Sequence, residues 1–243
     1  MKKKIILILG ASSQVGIHLI QTIFQDYDII LAHYCHSQNA FLPLQKTIGD
    51  KLIPIQADFS SERETLSFIQ HLKRDYPALS YFVHLPSEKL LHKKFQQTDW
   101  NIFEGQFHVG LRSIVMILQE FLPSMAKAKA GKIVFMLSSV TENTPPGYIS
   151  SYVAYKYAMA GLMKALSSEY ASKNIHINGV SPYMMDTPFL SEIPESVVSH
   201  MMEFNPWGKP VSLWDVSHAI AYLLSEKSDS IHGQNITISG KIQ

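Results

Sequence analysis

The chain has 243 residues, 46% of them hydrophobic and 17% charged, with a formal net charge of +1 at pH 7. That length suits one α/β domain over residues 1–243, and the charge supplies no field to draw nucleic acid or an anionic membrane. A single cysteine, Cys35, excludes an internal disulfide framework and fits a reducing, cytoplasmic setting, while the apolar run Ile5–Leu9 is too short for a signal core or a membrane span.

Strand-like and helix-like stretches alternate from end to end, which predicts a parallel sheet with helices on both faces. Residues 4–9 form a continuous aliphatic run, as in a strand buried on both sides. Residues 14–26 follow with Val15, Leu19, Ile20 and Ile23 at helical spacing. Further strands are predicted at 29–34, 51–55 and 81–84, with helices over 39–48 and 61–76 between them. Residues 99–125 read as one long, bent helix. A strand at 132–137, a long helix at 151–172 and a strand at 175–180 come next. Residues 182–210 are looser, with five prolines and several methionines, and read as a lid over a substrate. Met184, Met185, Phe189, Met201 and Met202 would give it an apolar, adaptable wall. A helix over 214–225 and a strand over 234–238 close a single doubly wound, Rossmann-like domain of seven parallel strands. The histidines lack the spacing of a metal site, and no metal is expected.

The first strand runs into Gly10-Ala11-Ser12-Ser13-Gln14-Val15-Gly16, directly before a helix. At the carboxyl edge of such a sheet, helix-terminal N–H groups and glycine-permitted backbone can hold a pyrophosphate. Gly10 would permit the tight turn and Gly16 close helix packing. Asp58, followed by Phe59 after the third strand, could accept from an adenine amino group, or could simply begin a helix. The second strand ends in His33-Tyr34-Cys35-His36-Ser37, without a carboxylate to bind an adenosine ribose and repel a 2′-phosphate. Tyr34 and His36 are the candidate phosphate partners, so NADP(H) is favoured over NAD(H). A carboxylate introduced at His33 is expected to reverse that preference.

Tyr152 and Lys156 stand at i and i+4 and share one helix face. A lysine ammonium beside a phenol lowers its pKa from ~10, so the tyrosine could exchange a proton with a carbonyl oxygen. Such a pair is common by accident; its context decides. Ser139 lies thirteen residues upstream at the carboxyl end of a predicted strand, where active-site groups of open sheets gather.

From Lys4 to Gly240 the chain resembles the short-chain dehydrogenase/reductase family, whose signature is a serine followed by a tyrosine and lysine at this spacing. In overall look it is most similar to the 3-oxoacyl-acyl-carrier-protein reductases. The resemblance extends through Asn178-Gly179-Val180-Ser181-Pro182, Asp186-Thr187-Pro188, Trp207-Gly208-Lys209-Pro210 and His232-Gly233-Gln234. It implies that Ser139 binds the substrate carbonyl and Tyr152 is the acid/base. Lys156 would bind the nicotinamide ribose and tune the phenol, and Thr187 and Pro182 would flank the nicotinamide. The implied substrate is a small ketone or an acyl thioester, and the implied assembly is a homodimer or homotetramer.

The chain also departs from the family. Gln14 stands where a glycine is usual, His84-Leu85-Pro86-Ser87 replaces Asn-Asn-Ala-Gly, and Tyr183 follows the proline after the sixth strand. Gly110 stands where the long helix usually carries an asparagine, so proton supply is expected to suffer and Gly110→Asn to raise the rate. Gln14, Ser87 and His108-Val109 are similar to the pteridine-reductase branch. A relative that binds cofactor with little turnover is the competing reading.

Overall fold

A computed structural model describes residues 3–142, 144–203 and 207–239. Residues 204–206, the Met201 side chain and Gly240, where the family resemblance ends, lie outside the described residues. Strand β1 (Ile5–Leu9) buries all five side chains because both of its faces are covered. Ile6 and Ile8 pack with one set of helices, and Leu7 and Leu9 with the other. There follow α1 (Gln14–Ile23), β2 (Ile29–Tyr34), α2 (Leu42–Ile48), β3 (Leu52–Gln56), α3 (Glu62–Asp75) and β4 (Tyr81–His84). The remaining elements are α4 (Trp100–Gln106), α5 (Ser113–Ala128), β5 (Gly131–Met136), α6 (Ser150–Tyr170), β6 (Ile175–Pro182), α7 (Glu195–Glu203), α8 (Leu213–Leu224) and β7 (Asn235–Ile238).

The seven strands form one parallel sheet in the order β3-β2-β1-β4-β5-β6-β7. Helices α1, α2 and α8 supply Leu19, Ile20, Leu44, Ile220 and Leu223 to one face. Helices α3, α5 and α6 supply Phe68, Leu72, Ile117, Phe121 and Met159 to the other. Each fully buried aliphatic side chain contributes roughly 1.5–3 kcal/mol. Chain order reverses between β1 and β4, which opens a crevice at the carboxyl edge of the sheet, where ligands of such folds sit.

The expected long helix is interrupted. Residues Phe107–Arg112 form a π-helical turn between α4 and α5. By length and composition Trp100–Ala128 could cross a membrane. In the fold, however, Ile114, Ile117, Leu118, Phe121, Leu122 and Met125 are buried in the core, so the apolar stripe packs on the sheet.

Candidate active site

The loops after β1, β4, β5 and β6 meet around one cavity of about 770 Å³. Its floor holds Ser138, Ser139, Tyr152 and Lys156, and one wall is the turn Ser12–Val15. The turn is held open by its backbone. Gly10 has φ +70°, and a Cβ there would stand 3.1 Å from the Pro86 nitrogen. A side chain at Gly16 would meet the Ala11 carbonyl oxygen at 2.4 Å. The Ser13 hydroxyl accepts from the Gly16 N–H at 3.1 Å and caps α1. The two glycines thus let the turn pack tightly against Ala11, Leu85 and Pro86, which leaves Ser12–Val15 and the start of α1 on the cavity wall, an arrangement that fits the pyrophosphate of a dinucleotide.

Tyr152 and Lys156 lie on the buried face of α6. The Lys156 ammonium donates to the Met136 carbonyl at 2.7 Å and stands 5.6 Å from the centre of the Tyr152 ring. Burial brings the Lys156 pKa down to about 7. Burial also pushes the Tyr152 phenol up to about 12, opposed by a hydrogen bond from Ser138. The depression of the phenol pKa expected from the lysine is therefore not seen. Desolvation of the phenolate prevails while the ammonium is engaged by a backbone carbonyl. Ser139 is half-exposed in the cavity, and its hydroxyl makes no hydrogen bond to a described residue. Ser138, which sequence reasoning missed, is the serine near enough to the phenol to lower its pKa; its hydroxyl accepts from the Val140 N–H at 3.4 Å.

The residues after β6 complete the cavity. Pro182, Thr187, Met184, Met185 and Phe189 line it, with the Phe189 ring 5.6 Å from that of Tyr152. Met202 does not line it.

Residues 22–240 match the family profile described as enoyl-(acyl carrier protein) reductase. The chain belongs to this family of short-chain dehydrogenases/reductases. It is 25% identical to the 3-oxoacyl-(acyl-carrier-protein) reductase FabG of Thermotoga maritima, over 98% of this chain and 96% of the relative. Two solved structures share the fold. "ElxO with NADP Bound" has a TM-score of 0.86 at 22% identity, covering 98% of each chain. Levodione reductase has a TM-score of 0.87 at 19% identity, covering 98% and 96%.

As a short-chain dehydrogenase/reductase the chain is an oxidoreductase acting between an alcohol and a carbonyl with a nicotinamide dinucleotide. Several of the candidate cofactor residues are engaged within the fold itself. His33 does not face a ligand. It is 3% exposed; the Gly10 N–H donates to its Nδ1 at 3.0 Å, and its Nε2 lies 3.0 Å from the Ala57 carbonyl. Those partners require a neutral ring with the proton on Nε2. His33 thus ties the glycine turn to β2 and β3, and a carboxylate there would be buried between them rather than set against a ribose. Phe59 stacks on it at 4.0 Å and is itself buried, so only its backbone remains for a ligand, and its carbonyl already accepts from Arg112 at 3.0 Å. Asp58 has its pKa held below the usual value chiefly by the Ser60 side chain, and its Oδ1 also accepts from the Ser60 N–H at 2.9 Å. Tyr34 donates to Gln38 at 3.0 Å, and His36 is exposed beside Cys35.

The buried His33 has a consequence in acid. Desolvation lowers its pKa from 6.5 to about 4, so the unfolded chain takes a proton that the folded chain refuses. Stability is full above pH 6.5 and falls as pH drops toward 4, by about 2 kcal/mol at pH 5. His84, also buried with its pKa well below normal, acts in the same sense. Urea melts at pH 7.5 and 5 should show this loss, and His33→Gln should reduce its slope. An unchanged slope in that variant would assign the acid sensitivity elsewhere.

Gly110 also departs from expectation. A Cβ there would stand 2.1 Å from Tyr155 Cε2 and 2.5 Å from its hydroxyl. The Tyr155 ring fills that space and leaves no room for an asparagine, so Gly110→Asn should disturb the packing and not raise the rate.

Proposed function

We propose that the protein is an NADP(H)-preferring carbonyl reductase of the cytoplasm, acting on a small apolar ketone or a 3-oxoacyl thioester. The observation that carries this reading is the convergence of Tyr152, Lys156, Ser139 and the glycine turn on one cavity. A dinucleotide held here would supply or accept the hydride. Gly10, Ser12, Ser13, Gln14, Val15 and Gly16 would hold its pyrophosphate, and Tyr34, His36, Asp58 and the Phe59 backbone would meet its adenosine end. Lys156 would bind the nicotinamide ribose, with Thr187 and Pro182 at the nicotinamide. The free Ser139 hydroxyl donates to the substrate carbonyl. The Tyr152 phenol, protonated at neutral pH, gives its proton to the developing alkoxide.

The apolar wall of Met184, Met185 and Phe189 supports an apolar substrate and the reading of residues 182–210 as its lid. Phe95 and Trp100, 71% and 70% exposed beside α4, and half-exposed Tyr157 on α6 support a homodimer or homotetramer through that flank.

Fluorescence titration should give a lower Kd for NADPH than for NADH. Ser37→Asp should reverse the order, because Ser37 lines the cavity and a carboxylate there would repel a 2′-phosphate. NADPH oxidation over a panel of ketones and 3-oxoacyl thioesters tests the reaction. Tighter NADH binding by the parent protein overturns the cofactor preference, and binding without any turnover overturns the reductase.

A further inference from the structure

Tyr155 is fully buried and has no place in the proton transfer just described. Its position is nevertheless determined on four sides. Its ring occupies the notch left by Gly110, so close that even one added carbon at Gly110 would overlap it. That notch lies in the π-helical turn Phe107–Arg112, whose wider spiral displaces the helix locally. The Tyr155 hydroxyl donates to the Pro86 carbonyl at 3.0 Å, which ties α6 to the loop after β4. The face of the ring is turned to Lys156, with the ammonium 4.8 Å from its centre. The Tyr152 ring lies 6.2 Å from the Tyr155 ring in an edge-on arrangement.

Lys156 therefore sits in a box with two aromatic walls and one backbone carbonyl, that of Met136. We propose that Tyr155 is a positioning residue for Lys156. Wedged into the Gly110 notch, it forms the second aromatic wall of the ammonium's box and keeps water from reaching it. This rests on the functional reading of Lys156 above.

The box sets two opposed effects on the lysine. Exclusion of water disfavours the ammonium, whereas an aromatic face favours it. Burial prevails, since it alone accounts for the fall in the Lys156 pKa. The titratable groups around the ammonium are Tyr152 and Tyr155 on its own helix and His84 on β4, with His33 beyond it. Both phenols are raised by burial and both histidines are lowered, so all four are neutral near pH 7. No acidic side chain among the described residues contributes to the lysine's shift. Changing the wall is therefore expected to act on Lys156 through water access.

The test is the Lys156 pKa itself, read from the ¹³Cε shift of lysine-labelled protein and assigned by its loss in Lys156→Arg. Tyr155→Phe keeps the ring and should leave the pKa in place. Tyr155→Ser opens the box to water and should raise it by about one pH unit or more. With NADPH and a ketone substrate, the Ser variant should lose at least about tenfold in kcat and shift its pH profile in the same direction. A residue that merely filled space would lower Tm without moving either titration. Should Tyr155→Ser not fold, Tyr155→Leu keeps most of the volume and so the exclusion of water, but removes the ring face that favours the ammonium, and should lower the Lys156 pKa. A folded Ser or Leu variant with an unmoved Lys156 pKa overturns the proposal. The NMR titration needs neither cofactor nor substrate. An inactive parent protein would therefore sink the reductase reading while leaving the role of Tyr155 decided by its own result.

Discussion

Tyr152→Phe should remove turnover by a factor of about 10² to 10⁴ while leaving dinucleotide affinity within about twofold. The variant loses one oxygen and keeps the ring. That ring is packed against Phe189 at 5.6 Å and Tyr155 at 6.2 Å, so the phenylalanine retains its seat. Ser138 still accepts from the Val140 N–H. Lys156 keeps the Met136 carbonyl and the Tyr155 face, and the glycine turn is untouched. The missing atom is thus the proton donor alone. Single-turnover oxidation of bound NADPH, with Kd from fluorescence titration, separates the two quantities. Retention of more than a few per cent of the rate would move the acid/base role to another group. A concurrent collapse of Kd would mean that the phenol organises the cofactor site.

The sheet was legible because burial on both sides leaves a simple trace. β1 is an unbroken aliphatic run, β4 and β5 are mostly apolar, and all seven strands were expected close to where they lie. Strand alternation also contained the fate of His33. Leu31 and His33 point to the same side of β2, where Leu31 is wholly buried, so the histidine follows it inward. Treating His33 as a ligand-facing residue overlooked that period. The serines were harder. Ser138 and Ser139 are adjacent where β5 gives way to a 3₁₀ turn, and alternation ends there; only the turn geometry decides which hydroxyl meets Tyr152. The pairing of Gly110 with Tyr155 was not legible at all. Each residue departs in its own segment, and nothing local to either reveals that one supplies the volume the other lacks.

That complementarity gives a second large effect. Gly110→Ala should cost about 3 kcal/mol or more, beyond what overpacking usually exacts, because the obstructing group cannot move aside. Three Tyr155 atoms, Cε2, Cζ and the hydroxyl oxygen, lie within 2.5 Å of the added carbon. The ring they belong to is buried, and its hydroxyl is bonded to the Pro86 carbonyl. In an ordinary helix the same substitution would stabilise by about 1 kcal/mol, so the sign itself discriminates between the two situations. In a chain of this size the loss corresponds to a fall in Tm of roughly 6–12 °C. Tyr155→Ser on its own removes buried ring surface and should also destabilise. Combined with Gly110→Ala it clears the space, so the double variant should be more stable than the sum of the two losses allows. Urea melts of the four proteins close the cycle. Additive losses would show that the two residues do not share one space, and a Gly110→Ala protein as stable as the parent would show that the π-turn relaxes to admit a side chain.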